Sequence, residues 1–196
     1  MNKTILVLST VIGLFLYSCK NKPQNPSSGG VVENEVITTY QWTLIDSANM
    51  NNKVQFSYRD LTPNDNNAGV FVVGDLEPNK TYLGTIVLLD ETKNPVDTVS
   101  KEILELADEH QFQFQSSNSK VTVSYIDSGD HDSYGLPLGL QQKIKVGNIA
   151  GEKVNLSATL YHIPHNKSMD YLYNAANGSI DLQVNFYDVN ILNPAK

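Results

Sequence analysis

The chain has 196 residues, with 14 basic and 21 acidic side chains and a formal net charge of −7 at neutral pH. Arg59 is its sole arginine. A net negative chain without a basic cluster argues against nucleic acid, whose phosphates demand Lys and Arg, and against an anionic membrane surface, but is compatible with cations.

The first side chains include one positive charge, Lys3, and an apolar run follows from Ile5 to Leu16, broken only by Ser9, Thr10 and Gly13. A bilayer-spanning helix needs about 20 apolar residues, so this run is too short to cross; it suits the apolar region of a signal peptide, about 7–15 residues long. The run ends in Leu16-Tyr17-Ser18-Cys19, which resembles the lipobox of bacterial lipoproteins. The resemblance implies that residues 1–18 are a signal peptide cut before Cys19. It also implies diacylglyceryl on the cysteine sulfur and a further acyl chain, such as palmitate, on the new amine. Each buried CH₂ contributes about 0.8 kcal/mol, so several acyl chains on one residue hold a protein stably to a lipid bilayer. Cys19 is the single cysteine, which rules out a disulfide within one molecule. The expected location is the outer membrane of the cell envelope, at its periplasmic face or at the cell surface.

Residues 19–35 read as the anchor and a flexible tether, because Pro, Gly, Ser and Asn dominate and no apolar periodicity appears. Beyond them, strict alternation of apolar and polar side chains recurs, the pattern of a strand with one buried face. Val54, Phe56 and Tyr58 alternate, as do Val121, Val123 and Tyr125, and Leu182, Val184 and Phe186. Further strands are expected at residues 39–46, 70–74, 82–89, 110–115, 140–146 and 154–161, separated by turn-forming runs rich in Asn, Asp, Ser, Gly and Pro. Residues 100–109 allow one short helix at most.

Residues 53–60 and 120–127 share Lys, Val, Ser, Tyr and Asp at matching places, and residues 79–89 resemble 151–161. This self-similarity predicts a duplicated unit, one copy over 36–106 and one over 107–196, each with a strand after the second match, at 97–103 and 180–186. The fold class predicted is all-β: an antiparallel β-sandwich built as two similar Ig-like units or as one pseudo-symmetric sandwich. The alternative is an up-and-down β-barrel.

Five segments, together with the lipobox, carry a further resemblance. They are Tyr82-Leu-Gly-Thr-Ile-Val-Leu-Leu-Asp-Glu-Thr92, Ala107-Asp-Glu-His-Gln-Phe112, Gly135-Leu-Pro-Leu-Gly-Leu140, Leu160-Tyr-His-Ile-Pro164 and Gly178-Ser-Ile-Asp-Leu-Gln-Val-Asn-Phe186. In order and pattern they resemble a family of small Bacteroidota lipoproteins labelled "type 1 periplasmic binding fold superfamily protein". That label implies a large α/β fold with alternating helices and parallel strands, which conflicts with the length and the strand pattern here. The resemblance supports a lipoprotein and implies neither a reaction nor a ligand.

The residues able to carry chemistry are mostly histidines and acids. His110, His131, His162 and His165 lie near Asp108, Glu109, Asp127, Asp130 and Asp132 in the sequence. Imidazole and carboxylate together suit zinc or a similar divalent ion. His110 and His162 each border a strand, where a rigid scaffold presents ligands, so the metal site expected is His110 and His162 with Glu109 or Asp181. Asp127, Asp130 and Asp132, ahead of Gly135, resemble a calcium loop, although Tyr134 stands at one ligand position and no Glu follows at the required distance. No nucleophile elbow, phosphate-cradling loop or paired-carboxylate pattern appears, so no catalytic residues are expected. Trp42, at a strand position, is expected in the core.

The functional expectation is a non-enzymatic binding or accessory lipoprotein. It would take a divalent cation, zinc or calcium, and work beside an outer-membrane transporter of the TonB-dependent kind. The alternative is a carbohydrate- or protein-binding β-sandwich without metal. Cys19→Ala should abolish lipidation and leave uncleaved precursor in the inner membrane; normal palmitate labelling of that variant would refute the lipoprotein reading.

Overall fold

The computed structural model describes residues 35–63, 69–126, 130–162, 167 and 179–193. In chain order the strands are β1 (Thr39–Asp46), β2 (Asn49–Arg59), β3 (Val70–Val72), β4 (Thr81–Leu89), β5 (His110–Ser116), β6 (Val121–Tyr125), β7 (Gln141–Val146), β8 (Lys153–His162) and β9 (Ser179–Asn190). A helix, α1 (Val99–Glu105), and a 3₁₀ turn (Ala107–Glu109) separate β4 from β5. The strands form two antiparallel sheets, one of order β3-β2-β1-β4-β7-β6 and one of order β5-β8-β9. The fold is therefore an all-β sandwich, and the described strands do not close into a barrel.

Alternation decides which side chains meet between the sheets. Tyr40, Trp42 and Leu44 of β1, Phe56 of β2 and Tyr82, Ile86 and Leu88 of β4 point inward and are buried. Phe112 and Phe114 of β5, Leu156, Ala158 and Leu160 of β8, and Val184 and Phe186 of β9 meet them in one continuous core. The rings interlock across the layers: Trp42 stacks on Phe114 with centroids 5.6 Å apart, and Phe56 meets Phe186 edge-on at 5.2 Å. Each buried large apolar side chain contributes about 1.5–3 kcal/mol by leaving water, so this shared core is what holds the sheets together.

One polar contact inside the core is fully satisfied. The indole Nε1 of Trp42 donates to Oε1 of Gln142 at 2.8 Å, and Nε2 of Gln142 donates to the Gly139 carbonyl at 2.6 Å. Gly84 lies directly over this pair: a Cβ there would sit 2.4 Å from Gln142 Oε1 and 2.8 Å from Trp42 Nε1. The strand needs glycine at this point because the hydrogen bond occupies the space of a side chain.

Two sequence expectations are corrected by the topology. Residues 36–106 and 107–196 are not two similar units: β6 and β7 join the sheet of β1–β4, while β5, β8 and β9 form the other layer, and both ranges share one core. β2, which holds residues 53–59, lies between β1 and β3 and pairs with β3 over residues 57–59, whereas β6, which holds residues 121–125, lies at the edge of the same sheet. The likeness of these segments reflects the shared demands of amphipathic strands. Residues 97–103 do not form a strand either: from Val99 they are helical, and Val99 and Ile103, one turn apart, turn into the core. Among the described residues no helix is long and apolar enough to cross a membrane.

Gly84→Ala should destabilise the protein by about 1–3 kcal/mol, the usual cost of forcing atoms into a packed core. Chemical denaturation measures this directly, and an unchanged midpoint would show that the Trp42–Gln142 pair yields without cost.

Candidate metal centre

Strand register builds most of the site. His110, at the start of β5, pairs directly with His162, at the end of β8, and the ring centroids are 4.6 Å apart. His110 shares a strand face with Phe112 and Phe114, and His162 shares one with Leu160 and Ala158, so both imidazoles point toward the interior side. The third member, Asp181, comes from β9 through a β-bulge. Leu160 pairs with Leu182 and Tyr161 with Ile180, which leaves Asp181 as the extra residue. Plain alternation from Leu182 would turn Asp181 outward. The bulge instead re-aims it inward, where its side chain is 0% exposed.

Glu35 completes the cluster from a different direction, four residues ahead of β1. One donor atom from each of Glu35, His110, His162 and Asp181 lies within 4.8 Å of all the others. The nearest approaches are Glu35 Oε1 to His110 Nε2 at 3.2 Å, Asp181 Oδ2 to His110 Nε2 at 3.5 Å, and Asp181 Oδ2 to His162 Nδ1 at 3.8 Å.

The outer partners of the two imidazoles fix where their lone pairs point. His110 Nδ1 lies 3.1 Å from the Leu106 carbonyl, which only accepts, so Nδ1 carries the hydrogen and Nε2 is left as a donor atom to a metal. His162 Nε2 lies 3.3 Å from the Glu109 carboxylate, so by the same reasoning Nδ1 is the free nitrogen. Both free nitrogens face the cluster. An imidazole held on its far side by a carbonyl or carboxylate is the usual support of a metal ligand.

Yet the inward atoms are not hydrogen-bonded. Seven buried side-chain nitrogen and oxygen atoms make no hydrogen bond among the described residues. Five of them belong here: Glu35 Oε2, His110 Nε2, His162 Nδ1 and both carboxylate oxygens of Asp181. Buried polar groups without partners each cost about 1–3 kcal/mol, so their concentration at one point needs a cause. The cluster could hold a metal ion, which would satisfy these atoms by accepting lone pairs from imidazole and carboxylate together.

The charges agree with that view. Burial, and then the negative charge of Glu35, push the Asp181 carboxyl up to about 6, with the two imidazoles pulling back more weakly. Burial alone would lower His110, but the contact with Glu35, the Leu106 carbonyl and the negative charge nearby outweigh it and the net shift is upward. The contact with His110 lowers Glu35 against the opposing effect of its own burial. The pocket thus favours added positive charge, whether a proton or a metal.

Of the expected metal ligands, His110, His162 and Asp181 are brought together. Glu109 is not among the four clustered donors; its carboxylate sits behind His162 and orients it. Glu35 was missed, because an acid at the end of a polar stretch carries no pattern separating it from Glu33. Its one signal is position: it stands just before the first residues of the fold, with Ile37 buried two places later.

Of the calcium-like loop, Asp127 lies outside the described residues, as does His165. Asp130 is buried and accepts the Gln141 amide at 3.0 Å. Asp132 accepts the Tyr134 and Leu136 amides at 2.9 and 2.7 Å and pairs with Lys167 at 3.1 Å. Both carboxylates shape a turn and face amide or ammonium hydrogens, which leaves them poor calcium ligands. His131 sits in a bridge opposite Pro137, outside the cluster. Trp42 and Tyr40 are core residues, as expected for the former. Compared with known proteins, the chain matches no family model, no curated protein and no solved structure.

The Asp181 carboxyl is raised from 3.8 to about 6, so folding takes up a proton between those values. The stability this contributes is complete below the unfolded value and lost as pH rises through the folded one. In excess chelator, thermal stability should therefore fall as pH rises from about 4 to about 7, and Asp181→Asn should flatten that fall. Parallel profiles for the two proteins would show that Asp181 is not the group responsible.

Proposed function

We propose that this protein is an envelope-anchored lipoprotein that binds one divalent transition-metal ion, zinc by preference, through Glu35, His110, His162 and Asp181, and that it acts without catalysis. The observation that carries the reading is the convergence of four donor groups whose buried inward atoms make no hydrogen bond among the described residues. Two imidazole nitrogens with two carboxylates suit zinc and its neighbours, whereas calcium takes six to eight oxygens. Four protein donors fill a tetrahedral shell. Catalytic zinc sites keep one position open for water or substrate, and closed sites serve binding or stability. The second support is the sequence before residue 35, where the lipobox-like Leu16–Cys19 and the polar stretch after it suit a lipid anchor and tether. An accessory role beside an outer-membrane transporter of the TonB-dependent kind belongs to this proposal and rests on that inferred location.

Titration calorimetry tests the metal reading. Zinc should bind with one ion per chain at micromolar affinity or better, with calcium weaker by about 100-fold or more, following ligand softness. Glu109→Gln, which removes an orienting partner, should weaken zinc by about 10–100-fold without abolishing it, while the double variant His110→Ala/His162→Ala should abolish binding. Millimolar zinc affinity for the native chain would remove the proposal.

A further inference from the structure

The four donors do not come from one layer. His110, His162 and Asp181 belong to β5, β8 and β9 of the three-stranded sheet, while Glu35 precedes β1, a strand of the six-stranded sheet. Glu35 also stands directly after the Pro- and Gly-rich stretch of residues 20–34. We infer that the cation fastens Glu35 and the segment ahead of β1 to the three-stranded sheet, so that metal occupancy sets whether residues 35–37 are held to both layers. The inference rests on the metal reading above.

The contacts around Glu35 divide sharply at residue 37. Thr38 is held to the six-stranded sheet by its own bonds. Its amide and hydroxyl donate to the Leu89 carbonyl at 2.9 and 3.0 Å, and its hydroxyl accepts the Glu91 amide at 2.8 Å. Its carbonyl accepts the Asp60 amide at 2.7 Å, and Ile37 beside it is buried. None of these contacts involves the cluster. Ahead of them Val36 is 47% exposed, and Glu35 Oε1 meets His110 Nε2 at 3.2 Å while Oε2 makes no hydrogen bond among the described residues.

Glu35 thus approaches the cluster at His110, and the charges beside it decide whether it stays. Its carboxylate and that of Asp181 repel one another, and each raises the energy of the other in a buried place. A divalent cation reverses the sign of that interaction, since both carboxylates then bind the same ion. The bond it makes joins a segment of one sheet layer to three strands of the other. Disulfides serve this purpose in many exported domains, and the single cysteine of this chain rules one out. With the ion, Glu35 is held beside the start of β5 and the end of β8. Without it, the hydrogen bonds and burial that hold this segment among the described residues are those of Ile37 and Thr38 on the other layer.

Hydrogen exchange followed by mass spectrometry, on the full chain in mild detergent, tests this. Zinc should slow exchange of the amides of residues 35–37 by about tenfold or more relative to chelator, while a peptide from β4 remains unchanged as a check on the fold. In Glu35→Gln the protection should vanish, and zinc affinity should fall about tenfold or more in calorimetry. Tight zinc binding without protection at residues 35–37, or equal zinc affinity of the native and Glu35→Gln chains, would overturn the inference and leave the metal reading in place. Failure of the native chain to bind zinc would overturn both.

Discussion

The structure turns on the register of β5 against β8. Once Phe112 pairs with Leu160 and Phe114 with Ala158, the apolar faces of both strands lie toward the core, and His110 is carried opposite His162 with no further choice. A slip of one residue would turn every inward side chain outward, so the same burial that holds the sandwich together also fixes the histidine pair. The core and the site are thus one specification. Trp42, stacked on Phe114, transmits it to the other sheet, because the interlocked rings set how close the two layers lie.

This explains how the fold tolerates so unfavourable a cluster. A pair of imidazoles and a pair of carboxylates with unpaired inward atoms would by themselves drive the strand ends apart. The cluster is placed where β5 begins and β8 ends, so the well-packed part of each strand lies on one side of it and the site draws on that packing for its geometry. Asp181 shows the local cost most plainly: the bulge that turns it inward interrupts the ladder between β8 and β9. A bulge that buries a carboxylate against two histidines disfavours the fold unless something positive stands among them.

Much of this was legible in the sequence, and the physical reasons separate what was from what was not. Period-2 alternation gave the strands and the all-β class, because burial of one face writes itself into the residues. His110, His162 and Asp181 could be named because each sits at or beside the end of such a pattern. The pairing of strands could not be read, and so the apparent duplication misled: β2 and β6 satisfy the same local demand yet occupy different places in one sheet. Glu35 was hidden for the opposite reason, since it lies outside any periodic segment and only the folded chain brings it to the histidines. The distinction between Glu109 as a ligand and Glu109 as a support rests on which ring nitrogen it meets, a matter of a few ångströms that residue spacing does not encode.

The short helix α1 gains a purpose from the same geometry. A helix leaves the carbonyls of its last turn without partners inside it, and here the chain just past the helix presents the Leu106 carbonyl to His110 Nδ1. Three residues on, the turn Ala107–Glu109 delivers the Glu109 carboxylate to His162 Nε2. The turn itself is pinned from outside the site. Asp108 accepts the Ser133 amide and hydroxyl at 2.7 and 2.8 Å, and the Ala107 carbonyl accepts Lys167 Nζ at 2.8 Å. Asp132, which resembled a calcium ligand, holds that same lysine at 3.1 Å. Asp132 and Ser133, then, serve the candidate site at one remove, by fixing the turn that fixes both imidazoles. A helix at this place, where the strand pattern is interrupted, supplies an orienting carbonyl and carboxylate from one short segment. A strand continued in its place would have sent alternate side chains to opposite faces and could not have offered both to the same cluster.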